Sequence, residues 1–153
     1  MAGAESEGGV EGLAVDDVSP VSGAARARVL VIDDEPRVGE LLVKLLSPLF
    51  DTSHELRALD ALELIKAGAR YDVILCDLMM PEITGMDVQA ALERDVPELA
   101  SRTVFMTGGA FTERAQQFLD RFEGRILEKP FRMADVERVV VSMLDVARLD
   151  AAR

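Results

Sequence analysis

An α/β fold with a parallel sheet is predicted by the way short apolar runs and helical patterns alternate along the chain. The runs Val29–Ile32, Val73–Cys76 and Thr103–Met106 have strand length, and each is followed by apolar residues at helical spacing. Five such units can be traced. They predict five strands and five helices, with right-handed crossovers and helices on both faces of the sheet.

The first two helices are bounded by residues that favour helix ends. Pro36 suits the first turn of a helix, and Pro48 marks its end. A weak second strand follows near Thr52–Leu56, and Asp60 can cap a second helix that Gly68 stops. On the first helix the apolar residues recur at helical spacing, at Val38, Leu41, Leu42, Leu45, Leu46 and Leu49.

The remaining three helices are predicted in the same way. The third covers Thr84 to about Arg94, and Thr112 can cap the fourth. Arg125–Glu128 is the fifth strand, and the last helix runs from Asp135 to about Arg148. The apolar faces contain Ala115, Phe118, Leu119 and Phe122 on the fourth helix, and Val136, Val139, Val140, Met143 and Ala147 on the fifth.

Composition and charge limit the classes of function. The chain has 153 residues, 49% of them apolar, which suits one soluble domain with its own core. Its formal net charge of -11 argues against a nucleic-acid partner, because nucleic-acid binding depends on Lys and Arg. No apolar run has the length of a membrane span, and the acidic start does not resemble a secretion signal. The single cysteine, Cys76, fits a reducing cytoplasm.

The domain boundaries follow from a change in composition. Residues 1–26 are rich in Gly, Ala, Ser and acids, so they cannot bury enough apolar surface to fold. We expect a disordered acidic leader over 1–26, one folded domain over 27–149 and a short tail over 150–153. Only a few residues follow the last predicted helix, so we expect no output domain on this chain.

Polar residues stand at the carboxyl ends of four predicted strands, where ligands bind in open α/β sheets. Asp33 and Asp34 follow the first strand, and Asp77 follows the third. Thr107 follows the fourth strand and Lys129 the fifth. A strand-end Asp alone more often caps a helix or a turn. The prediction of a functional site therefore depends on these five residues meeting at one edge.

Three carboxylates at one edge require a compensating charge. Two like charges about 4 Å apart repel by roughly 4 kcal/mol at an effective dielectric constant near 20. Lys129 offsets one charge at most, and an all-oxygen, partly hydrated site suits Mg²⁺. A metal beside Asp77 indicates phosphoryl chemistry, because Asp is a covalent phosphoryl acceptor. The side chains of Thr107 and Lys129 can hold the remaining phosphoryl oxygens.

Four segments of the sequence resemble the receiver domains of two-component signalling. They are VLVIDDEP, DVILCDLMMPEITGMD, VFMTGG and ILEKPF, and they occur in the family's order with very similar separations. The resemblance covers Arg28 to about Leu149. It implies a flavodoxin-like (βα)5 sandwich with a five-stranded parallel sheet of order 2-1-3-4-5. It also implies a phosphoacceptor signalling domain of the CheY-like kind instead of an enzyme.

The resemblance further implies roles for individual residues. Asp77 would take a phosphoryl group from a histidine kinase or a histidine phosphotransfer protein. Thr107 would turn inward to the phosphoryl group on activation, and Lys129 would bind it through its ammonium group. The Mg²⁺ ligands would be Asp33, Asp34, Asp77 and the backbone carbonyl of Met79.

The loops beside the site follow the family's pattern with one departure. By the resemblance, Pro81 and Gly85 shape the loop after Asp77, and the Lys129–Pro130 peptide bond is cis. Ile126 stands three positions before the lysine, where the family often has an aromatic ring that moves on activation. The usual coupling between the hydroxyl residue and that ring is therefore not expected here.

Two consequences concern the phosphorylated state. Because Ile126 has no ring to swing, we expect the conformational change mainly in the loop after Thr107. There Gly108 and Gly109 could act as hinges, and Phe111 as the moving ring. We also expect slow autodephosphorylation. An attacking water could be oriented by side chains two positions after Asp77 and two positions after Thr107. Met79 offers only a weakly accepting thioether there, and Gly109 has no side chain.

Several other residues are predicted to have structural or surface positions without a role in the site. Cys76 is expected to be inert core. His54, the only histidine, is expected at a surface or edge position far from the acidic residues. Val141, Val146 and Leu149 lie partly off the core face of the last helix, so a homodimer or kinase-docking surface there is as well supported as scattered exposure.

Alternative functions remain open to different degrees. The chain could be a free-standing regulator that signals through protein contacts, or the excised receiver of a hybrid histidine kinase that passes phosphate on in a relay. A phosphorylation-independent binding module is a further alternative, although all the acids and the lysine are retained. A phosphatase of the haloacid-dehalogenase type would need a second Asp where Met79 stands. A flavin module would need a phosphate-binding loop where DDEP would repel phosphate.

Overall fold

Within residues 26–109 and 112–151, the part of the chain that the computed structural model describes, five strands form one parallel sheet. The strands are β1 (Arg28–Ile32), β2 (Asp51–Glu55), β3 (Val73–Asp77), β4 (Thr103–Thr107) and β5 (Ile126–Glu128). Their order is β2-β1-β3-β4-β5, and every neighbouring pair is parallel. The predicted fold class and strand order are confirmed. Phe111 and positions 1–25 of the predicted leader lie outside the described residues.

At least one helix follows each strand. The helices are α1 (Pro36–Leu46), α2 (Ala58–Lys66), α3 (Gly85–Asp95), α4 (Pro97–Ala100), α5 (Glu113–Asp120) and α6 (Met133–Ala151). The five predicted helices are present, but the prediction of a single helix between β3 and β4 is wrong. The one-turn helix α4 follows α3, begins with Pro97 and buries Leu99 and Ala100.

The helices cover both faces of the sheet because alternate strand residues point to opposite faces. Val29 and Val31 of β1 belong to one half of the core, with residues of α1 and α6. Leu30 and Ile32 belong to the other half, with residues of α2 and α3. On that same side of β4, Phe105 packs with residues of α5. Strand β1 is therefore enclosed by two strands and two helical layers, and its position is fixed by packing.

One of the two predicted capping residues, Thr112, is confirmed, and Thr84, predicted as the first residue of its helix, is the N-cap of α3. The hydroxyl of Thr84 accepts the N–H of Asp87 at the start of α3, and the Asp87 carboxylate accepts the N–H of Thr84 in return. Thr112 caps α5 through its hydroxyl. Asp60 is not a cap, because α2 begins earlier, at Ala58. It lies in the first turn, where its negative charge favours the helix N-terminus.

Two helix boundaries and one helix face also differ from the prediction. Helix α1 ends at Leu46, two residues before Pro48. Helix α6, Met133–Ala151, is longer at both ends than predicted. Leu41 and Leu49, which the spacing placed on the buried face, are each 48% exposed. The apolar stripe of this segment is therefore wider than the surface that the sheet can cover.

Gly85 allows α3 to begin directly against the end of β3. Its N–H donates to the carbonyl of Leu78 at 2.8 Å. A Cβ atom on Gly85 would lie 2.8 Å from the carbonyl oxygen of Asp77 and 2.9 Å from Cα of Leu78. Both of these are backbone atoms, so relieving the contact would shift the strand end that carries Asp77.

We expect Gly85→Ala to lower the free energy of unfolding by about 1–3 kcal/mol, because the added Cβ overpacks against backbone. Urea denaturation followed by circular dichroism measures this change. The matched control is Gly108→Ala, since a Cβ on Gly108 would meet no atom within 4 Å. Its unfolding free energy should stay within about 0.5 kcal/mol of the wild type. Equal stability of the two variants would contradict the close contact at Gly85.

Candidate functional site

The carboxyl ends of the strands bring the predicted polar residues together. Asp33 follows β1, Asp77 ends β3, Thr107 ends β4 and Lys129 follows β5. One carboxylate oxygen from each of Asp33, Asp34 and Asp77 lies within 4.8 Å of the other two. Residues that are separated by up to 96 positions in the sequence therefore form one site.

Backbone hydrogen bonds continue past the strand ends and position these residues. The N–H of Asp33 donates to the carbonyl of Glu55 on β2 at 3.2 Å. The N–H of Lys129 donates to the carbonyl of Thr107 at 2.8 Å. The Lys129–Pro130 peptide bond is cis, as the resemblance implies.

Lys129 joins the two buried acids. Its Nζ donates to Asp77 Oδ1 at 2.9 Å and to Asp33 Oδ2 at 3.1 Å, and it lies 3.8 Å from Glu35 Oε1. Burial alone would lower the pKa of Lys129, but the hydrogen bonds to Asp77 and Asp33, together with the negative charges of these acids, outweigh it and raise the pKa. The lysine is therefore held in its charged form, as a binding group for an anion requires.

Asp77 is the acid whose proton affinity changes most clearly. Burial raises its pKa from 3.8 to about 6, against the lowering effect of the hydrogen bond from Lys129. The negative charges of Asp33 and Asp34 raise this pKa further. Asp77 is only 7% exposed, while Asp33 is fully buried and Asp34 is exposed. One lysine does not neutralise the three acids.

The donor set fits a hard divalent cation. Three carboxylates converge on one point, only one of them opens to solvent, and the single ammonium group leaves negative charge uncompensated. Oxygen ligands of this kind suit Mg²⁺. Asp33, Asp34 and Asp77 are therefore the residues that could hold Mg²⁺. The Met79 carbonyl stays a predicted ligand, and the Met79 side chain is 45% exposed.

Thr107 is buried beside the acids, and its hydroxyl is engaged with the loop that follows. The N–H of Gly109 donates to Thr107 Oγ1 at 2.9 Å. Gly109 has a φ of +130°, a conformation that residues with a side chain rarely adopt. The sequence indicated Gly109 as a hinge, but gave no sign of this hydrogen bond.

Ile126 packs against a core cluster that contains three aromatic rings, of which the sequence placed only Phe118 and Phe122 on one face. It pairs with Phe105 across the β4–β5 ladder and is half-buried. The Phe105 ring lies 4.9 Å from the ring of Phe118, edge to face, and 5.2 Å from that of Phe122. The aliphatic residue at this position is therefore held by an aromatic cluster on the same face of the sheet.

The loop after Asp77 is tied to the β2–α2 connection. Glu82 has a φ of +71°, and its carboxylate accepts hydrogen bonds from the guanidinium of Arg57 at 3.2 and 3.3 Å. Both side chains are more than half exposed, so the pair contributes little to stability. Pro81 is exposed in the same loop. Sequence reasoning missed Arg57, which has no motif around it.

The prediction that His54 lies far from the acidic residues is wrong. His54 is on the edge strand β2, as expected, but its half-buried ring reaches the site. Its Nε2 lies 2.8 Å from the backbone oxygen of Asp33. The missed signal was Gly39, a glycine inside the predicted first helix, which leaves room for the ring.

Cys76 is buried, as predicted. Burial raises the pKa of its thiol, and the charges of Asp77 and Asp33 raise it further. A thiol that holds its proton so firmly is a poor nucleophile.

The fold and this arrangement of side chains define a class of protein, and comparison with known proteins gives the same class. The family model for the response regulator receiver domain matches residues 29–141. The chain therefore belongs to the response regulator receiver domain family.

Similar proteins differ in length. TcrA, a transcriptional regulatory protein of Mycobacterium tuberculosis (strain ATCC 25618 / H37Rv), is 31% identical over 117 residues, covering 71% of this chain and 42% of TcrA. The two-component response regulator ORR11 of Oryza sativa subsp. indica is 29% identical over 146 residues, covering 93% of this chain and 97% of ORR11. This chain thus spans less than half of TcrA and nearly all of ORR11.

A solved structure has the same fold at low sequence identity. The CheY-like receiver domain protein from Methanospirillum hungatei JF-1 aligns with a TM-score of 0.73 at 18% identity, over 82% of this chain and 99% of that one.

In the described ranges, none of the helices combines the length and the apolar character that crossing a bilayer requires.

In the metal-free protein, Asp77→Asn is expected to raise the free energy of unfolding at neutral pH. The pKa of Asp77 is about 6 in the folded state and 3.8 when unperturbed, a difference worth about 3 kcal/mol above pH ~6. Because the amide also loses part of the Lys129 contact, we expect a net gain of about 1–2 kcal/mol.

The sign follows from proton binding. Between pH ~4 and ~6 the folded wild type holds the Asp77 proton more tightly than the unfolded chain, so this group's contribution to stability falls as pH rises. Asp77→Asn lacks that slope, and its advantage should shrink at about pH 5. Urea unfolding in EDTA measures the free energy of unfolding of the variant and the wild type at neutral pH and at about pH 5. The exposed substitution Glu40→Gln is the control. An Asp77→Asn variant less stable than the wild type at neutral pH would contradict a destabilising effect of the buried Asp77 charge.

Proposed function

We propose that this chain accepts a phosphoryl group on Asp77 from the phosphohistidine of a histidine kinase or a histidine phosphotransfer protein, in a Mg²⁺-dependent reaction. The observation that carries the proposal is the contact of Lys129 Nζ with Asp77 Oδ1 at 2.9 Å, beside two further carboxylates. Membership of the receiver family makes phosphohistidine the expected donor.

The transfer requires few groups. A carboxylate oxygen of Asp77 forms a bond to phosphorus while the phosphorus–nitrogen bond of the donor breaks, and the leaving imidazole takes up a proton. Lys129 is already charged and close enough to bind a transferred phosphoryl oxygen. Mg²⁺, held by Asp33, Asp34, Asp77 and the Met79 carbonyl, would neutralise negative charge on the phosphoryl oxygens.

Phosphorylation would be communicated through the loop after Thr107. The Thr107 hydroxyl now accepts the N–H of Gly109, and turning it toward a phosphoryl group would release that N–H. Gly108 and Gly109 give the loop freedom to respond. Ile126, packed among rings, would change little.

The output would pass through protein contacts. Val141 and Leu149 of α6 are exposed apolar side chains, 48% and 64% accessible, and they could serve in a homodimer or in kinase docking. Val146 packs against the core and is less available. We place the protein in the cytoplasm, where histidine kinases present their phosphoryl group. The same chemistry would serve a free-standing regulator or the receiver of a longer hybrid kinase.

Intact mass after incubation with acetyl phosphate tests the phosphoacceptor role. We expect one added phosphoryl group in the wild type with Mg²⁺, and none with EDTA or in Asp77→Asn. The control Glu40→Gln, an exposed carboxylate on α1, should be labelled like the wild type. No adduct under conditions that label other receivers would instead indicate a phosphorylation-independent binding module.

The phosphorylated wild type is expected to lose its phosphate slowly, since neither Met79 nor Gly109 can orient an attacking water. Met79→Asn places there an amide that can hydrogen-bond an attacking water, and it should shorten the lifetime roughly tenfold, which corresponds to about one hydrogen bond in the activation free energy. Loss of the mass adduct with time, after removal of the phosphodonor, measures this. Rapid loss from the wild type would contradict the prediction, and Met79→Leu is the control for the side-chain change.

A further inference from the structure

His54 connects the edge strand to the acidic loop. It pairs with Val31 in the β1–β2 ladder, and its Nε2 lies 2.8 Å from the backbone oxygen of Asp33. A carbonyl oxygen can only accept a hydrogen bond, so Nε2 is the donor, in the neutral ring as well as in the charged one. The contact joins residues 21 positions apart.

The ring occupies space that a missing side chain provides. A Cβ atom on Gly39 of α1 would lie 2.0 Å from Cε1 of His54, 2.1 Å from Nδ1 and 2.2 Å from Nε2. Gly39 is buried in α1, and the helix backbone fixes where a Cβ would lie, so any side chain at this position would overlap the ring. Glycine is disfavoured inside a helix. Its presence here is explained by the imidazole that lies against it.

The hydrogen bond from His54 fixes one particular peptide unit. The carbonyl of Asp33 belongs to the peptide that joins Asp33 to Asp34. Strand β2 also binds the other side of Asp33, because the carbonyl of Glu55 accepts the Asp33 N–H at 3.2 Å. The side-chain oxygens of Asp33 accept from Glu35 N–H and Lys129 Nζ. Among the described residues, only His54 and Glu55 reach the Asp33 backbone from β2 through hydrogen bonds.

We propose that His54 is a positioning residue for the divalent cation site, and that Gly39 is the residue that admits it. By orienting the Asp33–Asp34 peptide, His54 sets the relative direction of two carboxylates that converge on one point. The proposal rests on the proposed function for the identity of the cation. The role of His54 and Gly39 goes beyond the proposed function, because both residues lie outside the acidic cluster and support it.

The first test is the Mg²⁺ affinity of the full chain, measured by titration of backbone amide shifts in NMR without any phosphodonor. We expect His54→Ala to weaken Mg²⁺ binding about tenfold, the usual loss when a supporting hydrogen bond to a metal ligand is removed. His54→Gln retains an N–H donor and should recover part of the affinity. Thr52→Ala, two residues earlier on the same face of β2, should bind Mg²⁺ like the wild type.

The second test uses the space at Gly39. Gly39→Ala should expel the ring and weaken Mg²⁺ binding about as much as His54→Ala. In the His54→Ala background, Gly39→Ala should cause no further loss, because no ring remains to be displaced. Losses that add in the double variant would overturn the proposal, as would an unchanged Mg²⁺ affinity in His54→Ala. Dispersed amide spectra identify variants that are folded.

Labelling by acetyl phosphate separates positioning from a general loss of structure. In His54→Ala the Mg²⁺ concentration for half-maximal labelling should rise about tenfold, while the rate at saturating Mg²⁺ stays near that of the wild type. If the wild type binds Mg²⁺ but is never labelled, the proposed function fails and the binding comparison still decides the role of His54. A wild type that shows no Mg²⁺-dependent shifts overturns the positioning role.

Discussion

The ion pair between Lys129 and two buried carboxylates is the interaction on which the site depends. Asp33 is fully buried and Asp77 nearly so, and both would repel each other strongly without a cation between them. The lysine offsets the cost of these charges only in part, since burial, and then the charges of Asp33 and Asp34, keep the pKa of Asp77 raised to about 6. The protein therefore keeps a strained acidic cluster whose remaining charge favours binding of a cation.

Such a cluster can persist because rigid strands hold it. The residues Val29–Ile32 of β1 and Val73–Cys76 of β3 are completely buried, and the hydrogen bonds of the ladder continue to the first residues after the strands. Separating Asp33 from Asp77 would require moving one central strand against another, and close-packed interiors resist such movement. The apolar core thus provides the free energy that keeps like charges together.

Much of this arrangement could be predicted from the sequence, because strong local patterns encode it. Apolar runs identified the strands, and the polar residue after each run identified the site, since parallel strands end at one edge.

What local patterns did not encode is contact between distant segments. The short helix α4 and the non-capping Asp60 were misjudged because one turn of helix carries little periodic signal. The sequence grouped Phe118 with Phe122 but missed their packing with Phe105 and Ile126, because those two residues lie on other elements, β4 and β5.

The pair of His54 and Gly39 shows why the remaining part could not be predicted. Read locally, Gly39 is an unfavourable residue in a helix, costing about 1 kcal/mol relative to alanine, and His54 is an ordinary residue of an edge strand. Only the folded structure brings the ring against the glycine and the ring nitrogen to the Asp33 carbonyl. A local defect in α1 is then explained by what it permits elsewhere. Support for the acidic loop comes from the edge strand β2, through the His54 side chain and the Glu55 carbonyl, in addition to the ladder itself.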